Sequence, residues 1–310
     1  MFGRLIAIAA AIFALTAGVS NAQMMGIAGG GLTASASSYT GPGDIVVHTA
    51  FYSCARAYSN AYAVALGNLC KLRATTGGET CVMPSTPAGA PGVMTGCSGS
   101  SNGESLATFC ASGCTVAEAY DQTGNGWHLL QATAGDQPAL TISLLNSLPG
   151  WSLTSTSVGM NAGSNITPAG GSLTMDGVFN RSSGTANPVF IHENASNNRI
   201  GGDNTVSNKM QLIGTGNITV TANDATWHSA IGVATGSSTS GLEIDGSNTT
   251  GTVTVITTAG APGVAGAASA TAEEMEAGFI DGTALNSTQI TNLCRNEQAA
   301  YGSGNFGAVC

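Results

Sequence analysis

The sequence predicts a mainly β chain folded as a β-sandwich. Short runs rich in Val, Ile, Thr and aromatic residues fill its second half, and Gly, Asn, Asp and Ser separate them at fairly regular intervals. The chain has 310 residues, 43% of them hydrophobic, which is enough apolar material for a buried core. Only 8% are charged while Gly alone numbers 44, a composition too apolar and too weakly charged for a disordered Gly/Ser chain.

The elements follow in chain order. Residues 1–22 have the form of a cleaved signal peptide. Arg4 supplies the positive start, residues 5–15 the apolar run, and Ser20-Asn21-Ala22 the small-residue cleavage site. The run is short for a membrane span, which needs roughly 20 residues, so the mature chain is expected to begin near Gln23 with no integral membrane segment left. Residues 23–43 are a Gly/Ser-rich lead, and 44–310 form a single domain. Ile45-Val46-Val47 could start a strand. The Ala-rich stretch 49–72 repeats apolar residues at helical spacing and predicts a helix. Residues 74–104 are loop-like, 104–110 a short helix and 115–120 a strand.

The stretch AYDQTGNGWH (119–128) reads as a tight bend. Asp121 can accept backbone N–H groups, and Gly124 and Gly126 can take positive φ. Strands are expected at 139–143, 172–179, 189–192, 210–213, 218–222, 227–233, 241–244 and 252–257. Asp245-Gly246 and Asn248 mark a hairpin turn. Residues 277–280 are a further strand, and 286–300 close the chain as a helix capped by Asn286 or Ser287.

The net charge of −9 arises from 17 acids and 8 bases spread thinly, without a basic patch for nucleic acid or anionic lipid. Eight Cys in a chain with an export signal favour disulfides. Cys110 and Cys114 are the best local pair, and Cys294 with Cys310 is a candidate clasp on the C-terminal tail. The connectivity of Cys54, Cys70, Cys81 and Cys97 stays open. Cys110-x3-Cys114 has no His at zinc-ligand spacing, and no metal site is assigned. His48, His128, His192 and His228 are scattered. No cofactor is expected; Ca²⁺ is the one ion considered, with Asp121 as candidate ligand, although the loop lacks alternating carboxylates.

The segment LATFCASGC followed by AYDQTGNGWHLLQATAGDQPAL resembles the catalytic domain of the arabinofuranosidase B family, α-L-arabinofuranosidases. ARAYSNAY at 55–62 resembles the same family upstream. In the second half, ASNNRIGG, DATWHSAIGVATG and GLEIDG are similar to the wider concanavalin A/laminin-G-like sandwich superfamily. The resemblance implies a jelly-roll β-sandwich with short peripheral helices that often presents a concave sheet to carbohydrate. It implies a retaining glycoside hydrolase acting through two close carboxyl groups.

Carried over residue by residue, the family's nucleophile falls on Glu193, with Asn194 beside it as a substrate-binding residue. Ile191 stands where the family has an Asp. The acid/base Asp falls near Gly266 or Ala267, where no carboxylate exists, and the vicinal Cys pair of the family's sugar site is missing. Glu273, Glu274 and Glu276 read as a solvated edge, Asp203 as a turn residue, and His228 as packing beside the Trp227 strand.

Two functions therefore stand open: an exported arabinofuranosidase-like hydrolase, or a noncatalytic laminin-G-like polysaccharide-binding or adhesive module. Both imply a secreted, periplasmic or surface location and a glycan partner.

Overall fold

A computed structural model describes residues 39–182, 188–193, 197–203, 208–267 and 271–310. The expected signal peptide and most of the lead lie outside them. The fold is a mainly antiparallel β-sandwich of jelly-roll type, as the sequence predicts.

One layer centres on β9 (Leu173–Arg181), flanked by β14 (Trp227–Ala234) and by β18 (Ala272–Asp281). β15 (Ser240–Ile244) and β16 (Ser247–Gly251) extend it beyond β14, and β1 (Ala50–Ser53) beyond β18. The other layer runs β3 (Thr80–Pro84), β2 (Asn68–Ala74), β4 (Cys114–Ala119), β5 (Leu129–Leu130), β8 (Gly159–Ala162), β17 (Gly263–Ala265) and β10 (Val189–His192). It continues through β11 (Arg199–Gly202), β12 (Lys209–Gly214) and β13 (Gly216–Thr221). β6 (Ala139–Leu145) and β7 (Leu148–Leu153) join the layers, pairing with β4 and β18.

The core lies between the layers. Phe179 of β9 stacks on Phe190 of β10 with centroids 4.5 Å apart. A Cβ on Gly232 would come within 2.8 Å of Leu212, so glycine there lets the layers approach.

The helix expected over 49–72 is not formed. The segment holds β1, a one-turn helix α1 (Asn60–Val64) and β2. All four β1 residues are buried, because β1 has the core on one face and Tyr58 and His48 on the other. A strand covered on both faces shows no alternation, and Ala content alone is a weak helix signal against tertiary packing. The short helix of 104–110 is α2 (Leu106–Phe109). The strand expected at 252–257 is displaced to β16. Asp245 and Gly246 both take positive φ, and this two-residue turn pairs Ile244 with Ser247, which fixes where the return strand begins.

Four disulfides are present: Cys54–Cys70, Cys81–Cys97, Cys110–Cys114 and Cys294–Cys310. The two pairs proposed from spacing are among them. Among the described residues no helix is long and apolar enough to cross a membrane.

The closing helix α3 (Ser287–Tyr301) begins at Asn286, whose side chain accepts from Gln289 N while Gln289 returns the bond, a reciprocal cap. It covers the outer face of the β9–β14–β18 layer through Leu293 and Cys294 against Ile231 and Ile280. A buried polar network lies beneath it. Arg56 grips Glu276 with two bonds of 2.6 Å, Tyr301 donates to the same carboxylate at 2.6 Å, and His48 meets Asp176 at 2.9 Å. Ser229 donates to Glu297, which burial first, then the charges of Asp176 and Glu276, hold well above the ordinary carboxylate range.

This corrects the solvated-edge reading of 273–276. Only Glu273 is partly exposed; Glu274 receives the Trp151 indole N–H at 3.0 Å inside the core, and Glu276 is sealed under α3. A bulge between Glu274 and Glu276 turns these two acids to opposite faces of β18.

The bend at 119–128 is structural. The buried Asp121 carboxylate accepts from Phe51 N (3.3 Å), Thr123 N (3.0 Å), Thr123 Oγ1 (2.7 Å) and Trp127 N (3.1 Å). Asp121→Ala leaves three backbone donors without that acceptor and is expected to cost about 3 kcal/mol, read as a lower urea midpoint at unchanged slope.

Candidate functional site

β10 delivers the candidate nucleophile. Val189, Phe190, Ile191 and His192 are all buried, and Glu193 follows immediately. Ile191 belongs to the core cluster, which explains why an apolar residue stands where the resemblance places an Asp. Glu193 N donates to Asn198 O at 2.9 Å, closing a hairpin onto β11. Asn198 then binds three ways: its Nδ2 donates to Glu193 Oε2 at 2.8 Å and to Ile256 O at 2.9 Å, and its Oδ1 accepts from Ile256 N at 2.8 Å. Asn194 lies outside the described residues.

Glu193 is fully buried, and its Oε1 meets no hydrogen-bond partner. Burial pushes its carboxyl up to about 8, the Asn198 bond opposes the rise, and the Asp281 carboxylate adds to it. Asp281 ends β18, and both its oxygens accept from Ala169 N at 2.9 Å. A second carboxyl group is therefore set beside Glu193, at a position different from the one the resemblance indicates.

That other position has no room. A Cβ on Gly266 would lie 2.3 Å from Ser155 O, a backbone atom, and Ala267 is buried. His192 has no partner at Nδ1, and burial, then the Arg199 charge, lower it to about 4. Opposite it a Cβ on Gly263 would lie 2.4 Å from Asn161 Oδ1 and 2.9 Å from His192 Nε2, so glycine is required there.

The other candidates serve the fold. Asp203 accepts from Gln211 Nε2 at 2.9 Å on the loop after β11, and His228 meets Asp245 at 2.7 Å. Asp121, considered for Ca²⁺, is committed to the four bonds described above. Among the described residues no group of three or more His, Cys, Asp or Glu side chains could hold a metal ion.

Asn198 and Asp281 escape the sequence reading. Each carried a faint signal, an Asn five residues after the Glu and an Asp-Gly at a strand end. Only the fold brings these residues to Glu193.

The class defined by the architecture is a jelly-roll β-sandwich with a carboxyl-bearing strand end. Within it, the chain is similar to solved arabinofuranosidases. One, complexed with arabinofuranosyl-α-1,2-xylobiose, superimposes with a TM-score of 0.62 at 18% identity over 84% of this chain and 65% of that one. A GH54 α-L-arabinofuranosidase soaked with a cyclic sulfate inhibitor gives 0.63 at 18% identity over 84% and 66%. A mutant of a GH54 α-L-arabinofuranosidase soaked with 4-nitrophenyl α-L-arabinofuranoside gives 0.63 at 17% identity over 84% and 66%. The likeness defines the fold, and this chain spans just under two thirds of the length of those structures. No protein-family model matches the chain, and no curated protein matches it in sequence.

Proposed function

We propose that this is an exported, carbohydrate-active protein that uses an arabinofuranosidase-type sandwich to recognise polysaccharide or glycan. The observation that carries the reading is the likeness over 84% of the chain to arabinofuranosidases, two of them holding arabinofuranosyl compounds by name. Recognition without hydrolysis is the form the geometry favours. A retaining nucleophile must be ionised and must reach the sugar, whereas Glu193 is sealed from solvent and burial pushes its carboxyl up to about 8.

Hydrolysis is the second reading. It is favoured by one observation, the Asp281 carboxylate beside a Glu193 that is raised into the proton-donor range.

The test uses the mature secreted protein on a glycan array and on an aryl α-L-arabinofuranoside, beside Glu193→Gln. The expected result is glycan binding without cleavage, retained in the variant. Cleavage lost on Glu193→Gln would establish the hydrolase instead. Binding to no arabinan, xylan or host glycan, with no cleavage, would end both readings.

A further inference from the structure

We propose that a cationic groove on the outer face of the β2–β4–β5 strands binds one uronic acid residue of a glycan through its carboxylate. The proposal rests on the glycan reading above and adds the charge class of the sugar. The groove encloses about 220 Å³ and is lined by Lys71, Arg73, Glu118, Leu130, Gln131 and Gln137, among others. That is below the roughly 300 Å³ at which sites for drug-sized ligands begin, and it suits a single sugar ring.

The strand alternation builds the site. Cys70 and Leu72 enter the core, so Lys71 and Arg73 both face outward from β2. Across the sheet Lys71 pairs with Glu118, and Glu118 with Leu130. A register shift between Lys71 and Leu72 places a bulge at the groove, a device that re-aims side chains beside sites.

Charge then selects the ligand. The whole chain has only 8 Lys and Arg. Arg56 and Arg181 are spent on Glu276 and Asp224. Lys71 and Arg73 make no ion pair among the described residues. Arg73 Nη1 donates only to the Gly78 carbonyl at 3.0 Å, and its buried Nε–H has no acceptor.

Two cations and the Glu118 carboxylate leave one net positive charge in the groove, the complement of one carboxylate. The net charge of −9 over the whole chain disfavours a polyanion. Leu130, 45% exposed, offers an apolar surface for the C–H face of a sugar ring. Gln131 and Gln137 are pinned, Gln131 Nε2 donating to Gly159 O at 3.0 Å and Gln137 Nε2 to Gln131 O at 2.8 Å, so this wall is preorganised.

Calorimetric titration with the methyl glycoside of galacturonic acid, its methyl ester and a neutral arabino-oligosaccharide tests the assignment. The acid is expected to bind at least tenfold more tightly than the ester, since a hydrogen bond to a charged group is about that strong. The double variant K71Q/R73Q is expected to keep its melting temperature and to bind acid and ester alike, and Glu118→Gln to bind the acid more tightly. Equal affinity of the wild type for acid and ester overturns the proposal, as does an unchanged preference in K71Q/R73Q. Binding of the arabino-oligosaccharide without the acid overturns it and leaves the glycan reading standing. Binding of none of the three overturns the proposal, while the glycan reading falls only with the array.

Discussion

Glu276→Ala is expected to destabilise the protein by about 3–5 kcal/mol, the usual cost of removing one partner from a buried ion pair. Arg56 is 3% exposed and cannot shed its proton. Without Glu276 its charge would stay in the interior with the neutral side chains of Asn296, at 2.7 Å, and Tyr39 as polar partners. The loss propagates to α3, because Tyr301 and Asn296 both sit on that helix and both anchor in this network. Urea unfolding with the disulfides intact should show the lowered midpoint, and amide exchange should show α3 losing protection before the β9–β14–β18 layer. R56M/E276L, which removes both charges and keeps apolar volume, is expected to recover most of the loss. A loss below about 1 kcal/mol in Glu276→Ala would mean that water reaches the pair.

Much of the fold was legible because it depends on local pattern. β9, β10, β12 and β14 are short runs rich in apolar residues and bounded by turn residues, and the Asp245-Gly246 hairpin and the Asn286 cap are stated in a few consecutive letters. The Cys110–Cys114 and Cys294–Cys310 pairs were visible by proximity and by position at the tail. What was missed depends on the partner rather than the segment. β1 looked helical because it is covered on both sides. β7 and β8 have too few β-branched residues to stand out. Glu274 and Glu276 read as surface charge because sequence alone shows neither Trp151 nor Arg56 opposite them.

The candidate site divides in the same way. Glu193 was visible through its resemblance to a family strand end. Asp281 and Asn198 were not, since Asp281 lies 88 residues away from Glu193 along the chain (281 − 193). Gly266 shows why the expected acid could not be found near its family position: the backbone of Ser155 occupies the space.

Glu193→Gln is expected to become more stable than the wild type as pH rises. The folded carboxyl titrates at about 8 against an ordinary value of 4.5. Between these values the folded state binds more protons than the unfolded one, so wild-type stability falls as pH rises through the window. Each unit is worth about 1.4 kcal/mol, and the total is at most about 4–5 kcal/mol.

His192 runs the other way. Its folded value is lowered to about 4 from 6.5, so its contribution is complete above 6.5 and is lost as pH falls toward 4. From about 4.5 to 6.5 these two slopes oppose each other. Above 6.5 the raised His228, Glu274 and Glu297 add slopes of the same sign as Glu193, and these are shared by wild type and variant and cancel in their difference. The glutamine of the variant keeps an oxygen for the Asn198 amide and has no proton to lose.

Unfolding free energies measured from pH 6.5 to 8 should therefore diverge by about 1.4 kcal/mol per unit in favour of the variant. Parallel curves would show that Glu193 is already ionised in the fold. An ionised Glu193 is the state a retaining nucleophile needs and a protonated one the state a proton donor needs, so this stability measurement decides which role Glu193 could take in hydrolysis without requiring a substrate.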